Sequence, residues 1–292
     1  MAAMSEPSTW QQFLDPARYP PAPDAAMLPV VVGVTAALLG LLAVWRVLRP
    51  IGKPDGGLPV QDSLMALALG FTALLLPDIL GFVISQNAEP DPMLLGTLQV
   101  AIALVCIVLF ARNPLRRQEE PVPTPPWVRF EPVWLARVLP AWALCYPVLI
   151  GAAVANAALL VLLDVPITEQ HHLTRLRTDD SVPWIVGWYV LAGLGAPLRE
   201  EFAFRVVFFG VLKGWLSQAG NAGLWVAGGA SVLLFVLAHY PWQFPVLILP
   251  LTALGVILTL SYVYTRSMWP GVMIHALHNS LVLTFQFFVL AD

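Results

Sequence analysis

An all-α fold, a polytopic transmembrane helical bundle of about eight or nine spans, is predicted by two properties of the sequence. Of its 292 residues, 58% are hydrophobic and only 11% charged, and the mean hydropathy is +0.75, well beyond an ordinary soluble domain. The apolar residues also come in runs of about 20, the length of a membrane-crossing helix, separated by short stretches rich in Pro, Gly and charge. A formal net charge of −3 without a basic cluster excludes nucleic acid as a partner, since that would require a basic face. Membrane lipid is the partner the composition implies. Cys106 and Cys145 both sit in apolar runs, have no metal-ligand spacing, and read as buried thiols.

Taken in order, residues 1–27 form a polar, Pro-rich tail that lacks the basic start of a secretory signal. The first span is Leu28 to Leu48, closed by Arg46, Arg49 and a loop from Pro50 to Pro59. The second, Leu64 to Ile84, holds Pro77 and Asp78 near its middle. Because Pro77 already opens the helix backbone there, Asp78 reads as a capping or packing residue rather than part of a site. A third span, Met93 to Phe110, completes an N-terminal group of transmembrane helices over 28–111. The segment 112–132, with Arg116, Arg117, Glu119 and Glu120 followed by five prolines, reads as an extended cytoplasmic linker on the surface. It leads into a core over 133–292.

That core begins with Val133 to Leu163, about 31 apolar residues and therefore one tilted span. The loop after it contains Glu169, His171 and His172, read as water-exposed surface residues in preference to a metal site. Trp184 to Trp215 differs: about 32 residues with Gly193, Gly195, Pro197 and a charge cluster at the centre. It is too long for one upright helix and too short for two, so two abbreviated helices are predicted, meeting at a break around Ala196 to Arg199. Such breaks are tolerated at membrane depth only against protein or a cavity. Three apolar runs remain: Ala222 to Tyr240, Val246 to Tyr264 and Val272 to Leu290. Lys and Arg gather after the first span and in the linker, which places those loops, and the break, on the cytoplasmic side of a plasma (inner) membrane.

Arg199, Glu200, Glu201 and Arg205 put four charges within seven positions of this oily half. A charge at the bilayer centre costs roughly 2.5–3.5 kcal/mol on insertion scales, so the cluster requires partners or a function. On a helix, Glu201 and Arg205 share a face and can pair, while Glu200 points elsewhere and stays free. Other polar residues of the C-terminal third come at four-residue spacing: Phe235 with His239, and His275 with Asn279. Three helices can thus aim a carboxylate, two imidazoles and a carboxamide into one cavity, an inventory for hydrolysis. Strict up-and-down threading puts His239 and His275 toward opposite faces. Their meeting requires a site near mid-bilayer, reached by short or tilted helices.

These residues carry a resemblance. Glu200-Glu201-Phe-Ala-Phe-Arg205 is similar to the E-E-x-x-x-R motif, Phe235-Val-Leu-Ala-His239 to F-x-x-x-H, and His275-Ala-Leu-His-Asn279 to H-x-x-x-N. Their order is that of the CPBP (Abi) family of intramembrane proteases related to CAAX prenyl endopeptidases. The resemblance implies an intramembrane endopeptidase acting on a peptide or membrane-protein substrate, CAAX-like tails being one class. It implies Glu200 as the base activating water, His239 on the same water, His275 and Asn279 at the oxyanion, and Glu201 held by Arg205. No cofactor is favoured, although a zinc site of Glu200, His239 and His275 is an open alternative by ligand type. A non-catalytic membrane scaffold or immunity-type protein of the same fold is the other reading. Two departures from the pattern are Arg199, a cation directly before Glu200, and Val206-Val207 where a Gly is expected.

Overall fold

The computed structural model describes residues 63–85, 91–112, 126–165, 181–239 and 247–288, and among them every regular element is helical. The order is α1 (Ser63–Ile84), α2 (Pro92–Ala111), a 3-10 turn (Pro126–Val128), α3 (Val133–Leu162) and α4 (Val182–Trp188). A first π-helical stretch (Tyr189–Gly195), α5 (Ala196–Glu200), a second π-helical stretch (Glu201–Phe208) and α6 (Phe209–Trp215) follow without a gap. A 3-10 turn (Ser217–Ala219), α7 (Gly220–Ala238), α8 (Ile248–Thr265) and α9 (Met268–Phe288) complete the chain. The first expected span and the loop with Glu169, His171 and His172 lie outside the described residues.

Among the described residues five stretches are long and apolar enough to cross a membrane: α1, α2, α3, the run ending in α7, and α8. They expose large apolar side chains such as Leu75, Ile79, Val105, Leu109 and Leu233, a surface suited to lipid and not to water. The protein is an integral membrane protein. Cys106 and Cys145 are buried and free.

The run 182–215 is the centre of the bundle, touched by α1, α2, α7, α8 and α9. Small residues permit the closest of these approaches: a Cβ on Gly96 of α2 would stand 2.6 Å from the Leu191 backbone nitrogen. On α1, Phe71 packs edge-on against Phe208 with ring centroids 5.2 Å apart. The expected break in this run takes the form of two wide π turns, and the chain stays helical through Pro197.

The expected surface linker is corrected at the end that is described. Trp127 is 1% exposed, its ring 5.3 Å from Phe110 and 6.2 Å from Phe202. The carbonyls of Val128 and Arg129 accept hydrogen bonds of 2.8 Å from Trp269 Nε1 and Ser267 Oγ respectively. An indole buries roughly 150–250 Å² of surface, and that gain draws the segment into the bundle despite its prolines.

Candidate active site

The backbone that carries the site is shaped by Pro197. Proline has no N–H and its ring crowds the carbonyl four residues earlier, so the turn ahead of it widens: the Ala196 N–H reaches back five residues to Leu191. In that register the next carbonyl, Ala192, would need a donor from Pro197, which has none. Asn279 of α9 supplies it, its Nδ2 donating to the Ala192 oxygen at 2.7 Å. One of the expected oxyanion donors is therefore already holding the π turn, and its carboxamide keeps a second N–H for other use. π turns of this kind are frequent at functional sites.

After Pro197 the chain presents two adjacent carboxylates with different surroundings. Glu201 and Arg205 are both 0% exposed, with Glu201 Oε1 3.1 Å from Arg205 Nη1, so the expected pair forms. The guanidinium also lies 4.5 Å from the Phe235 ring centroid, and its Nη2 donates to the Gly255 carbonyl at 3.4 Å. Glu201 Oε1 further meets His275 Nδ1 at 3.3 Å. A carboxylate on Nδ1 fixes the imidazole's orientation and leaves Nε2 to face away. Gly271, one turn before His275, makes the approach possible, since a Cβ there would lie 2.6 Å from Glu201 Oε2.

Glu200 turns elsewhere, as its spacing predicts. It is 7% exposed, and its Oε2 has no hydrogen-bond partner among the described residues. His239 Nε2 stands 4.0 Å from that oxygen. His239 caps α7, its Nδ1–H donating to the Phe235 carbonyl one turn back at 2.7 Å. This satisfies an end-of-helix acceptor and leaves Nε2 as the acceptor facing Glu200.

The two histidines that strict threading separated are brought to one locus. Phe235 packs 4.7 Å from His239 and 5.9 Å from His275, ring to ring. Yet each imidazole has its own acid, His239 facing Glu200 and His275 facing Glu201. Among the described residues no three His, Cys, Asp or Glu side chains form a group able to hold a metal ion, so Glu200, His239 and His275 do not come together as one ligand set.

One residue of this neighbourhood was misread from sequence. Asp78 neither caps nor merely packs: Arg199 Nη1 donates to its Oδ2 at 3.0 Å and its Oδ1 at 3.2 Å. Arg199 Nη2 is 3.9 Å from Glu200 Oε1, so the unexpected cation before Glu200 is shared with α1. An acid in the middle of an apolar span was the available signal, since such a charge requires a partner.

Comparison with known proteins finds similarity over the segment that carries these residues. Over 91 residues the chain is 37% identical to the membrane-embedded CAAX protease MroQ of Staphylococcus aureus strain USA300, covering 31% of this chain and 35% of the length of that relative. No solved structure matches. The family match spans residues 182–281 and so takes in Glu200, Glu201, Arg205, His239, His275 and Asn279, while Asp78 lies outside it. Over the segment 182–281 the chain is similar to the Rce1-like type II CAAX prenyl endopeptidases, a family of membrane proteases.

Proposed function

We propose that the chain is an intramembrane endopeptidase hydrolysing a peptide bond of a membrane-associated or CAAX-like substrate, with Glu200 as general base. The observation that carries this is the division between neighbouring carboxylates. Glu201 is committed through Oε1 to Arg205 and His275, whereas Glu200 Oε2, buried and without a hydrogen-bond partner among the described residues, as Glu201 Oε2 also is, stands 4.0 Å from an imidazole acceptor. Two hydrogen bonds of about 2.8 Å meeting at a tetrahedral angle span about 4.6 Å, close to that gap. A water there gives one proton to His239 Nε2 and the other to Glu200, with a lone pair aimed at the substrate.

Glu200 takes the proton as the water oxygen attacks the carbonyl carbon. The oxyanion is met by the second Asn279 N–H and by His275, whose ring is held through Nδ1 by Glu201. Collapse breaks the C–N bond, and the proton on Glu200 passes to the leaving amine. The reading uses no metal, because the three candidate ligands have different partners. The site opens toward the cytoplasm, as the Lys and Arg distribution indicates.

The test offers purified protein a panel of membrane-tethered and CAAX-like peptides, prenylated and unprenylated, with and without a strong chelator. Wild type is expected to cleave, with Glu200→Gln slower by about 100-fold or more and the chelator without effect. Chelator sensitivity would move the site to a metal enzyme. No cleavage at all, with Glu200→Gln as effective as wild type in the host cell, would leave the scaffold.

A further inference from the structure

Arg199 is the residue that departs most from the resemblance, and its surroundings show how the site accommodates it. A guanidinium next to a general base is a hazard: a charge-assisted hydrogen bond of about 2.8 Å to the carboxylate would occupy the oxygens that must hold water. Arg199 Nη2 stops 3.9 Å short of Glu200 Oε1. It stops there because its other arm is committed to α1, where Nη1 donates to both oxygens of Asp78 and to the Leu74 carbonyl at 3.2 Å. The Arg199 side chain is 16% exposed and that of Asp78 49%.

Among the described residues the charged or titratable groups around Glu200 include Glu201 and Arg205 of the second π stretch, His239 at the end of α7 and His275 of α9. Glu201 is closed to Arg199 by its pair with Arg205, and α2 contributes no Asp, Glu, His, Lys or Arg within Pro92–Ala111. Among the described residues Asp78 is therefore the acid that competes with Glu200 for Arg199. We infer that Asp78 is a positioning residue for the hydrolysis: it holds the Arg199 guanidinium off Glu200 and so keeps the base free to take a water. This rests on the proposed role of Glu200. It brings α1, which lies outside the family match, into the working of the site.

A pair that only stapled α1 to the bundle would show the same contacts, so the experiment reads something a staple does not move. Full-length protein in liposomes is assayed on the peptide that wild type cleaves best, comparing Asp78→Asn, Asp78→Glu, Arg199→Gln and the double Asp78→Asn/Arg199→Gln, with Glu200→Gln as reference. Freed from Asp78, Arg199 needs to move only about 1 Å to clamp Glu200. Asp78→Asn is expected to lower kcat about tenfold or more with KM within about twofold. Asp78→Glu keeps most of the activity, Arg199→Gln stays near wild type, and the double variant recovers most of what Asp78→Asn lost.

Equal impairment of Asp78→Asn and the double variant, in turnover or in the yield of folded protein, makes the pair a staple and overturns the inference. So does wild-type kcat in Asp78→Asn while Glu200→Gln is inactive, which sinks this inference alone. Activity surviving in Glu200→Gln removes the proposed base and takes the inference with it.

Discussion

Neutralising Arg205 tests whether the buried pair is what holds the second carboxylate in place. Arg205 Nη1 and Glu201 Oε1 are 3.1 Å apart and both side chains are 0–1% exposed. At an effective dielectric constant of about 20, that separation corresponds to about 5 kcal/mol of attraction. Desolvating each ion costs several kcal/mol, so the pair as a whole is near neutral. Arg205→Met keeps the stem but leaves Glu201 buried without its cation, and should destabilise the protein by about 3–5 kcal/mol. Adding Glu201→Gln removes the stranded charge and should return most of that loss, a coupling of about 3 kcal/mol. The assay is unfolding of the four proteins by denaturing detergent in mixed micelles, with turnover measured on each. The double variant is expected to be folded yet slow, because His275 Nδ1 has lost its anionic partner at 3.3 Å. If the single losses simply sum to that of the double variant within about 0.5 kcal/mol, the two residues are not coupled and the account of Glu201 fails.

Four further outcomes follow from three glycine sites and from the carbonyl that Asn279 satisfies. Gly271→Ala places a Cβ 2.6 Å from Glu201 Oε2 and 3.3 Å from Ser261 Oγ; it should cost about 1–3 kcal/mol and slow turnover, and unchanged kinetics would contradict the packing. Gly96→Ala meets the Leu191 backbone nitrogen at 2.6 Å, which cannot swing aside, so α2 must separate from the π turn and detergent unfolding should come early. Gly229→Ala, with nothing within 4 Å, is its control and should stabilise α7 by roughly 0.5–1 kcal/mol. Asn279→Leu leaves the Ala192 carbonyl without a donor at about 1–3 kcal/mol, and should lower kcat more than KM. A kcat loss without a stability loss would confine Asn279 to the oxyanion.

What could be read in the sequence was what obeys local spacing. Four-residue intervals on helices brought Glu201 to Arg205, His239 to the Phe235 carbonyl, and Asn279 onto the face of His275, and the structure keeps those alignments. The run boundaries were legible too, because apolar length is a property of the chain alone: α1, α2 and α3 begin and end within two residues of the expected spans. Asp78 was not legible as a partner of Arg199, because 121 positions separate them and only the packing of α1 on the central run brings them together. That His239 and His275 would share a cavity was expected from spacing, but that they do so across Phe235 was hidden for the same reason. Span counting states which end of a helix a residue occupies, but not how α7 and α9 lean across Phe235.

The π turns show why the break was anticipated in place but not in form. Gly193, Gly195 and Pro197 announce a backbone that departs from α geometry, and an unwound gap is the simplest solution. An unwound gap, however, frees several N–H and C=O groups at membrane depth, each costing several kcal/mol if unpaired. Widening the helix by one residue per turn loses far fewer. The Ala196 N–H still finds Leu191, and the one acceptor that Pro197 strands, on Ala192, is taken by a carboxamide from α9. Past that turn the chain is still helical, so Glu200 and Glu201, neighbours in sequence, point in different directions and meet different partners: His239 and Arg199 for one, Arg205 and His275 for the other. A proline that costs one hydrogen bond thereby draws Asn279 of α9 onto the turn that leads into the two carboxylates, which ties the fold of this segment to the reaction proposed for it.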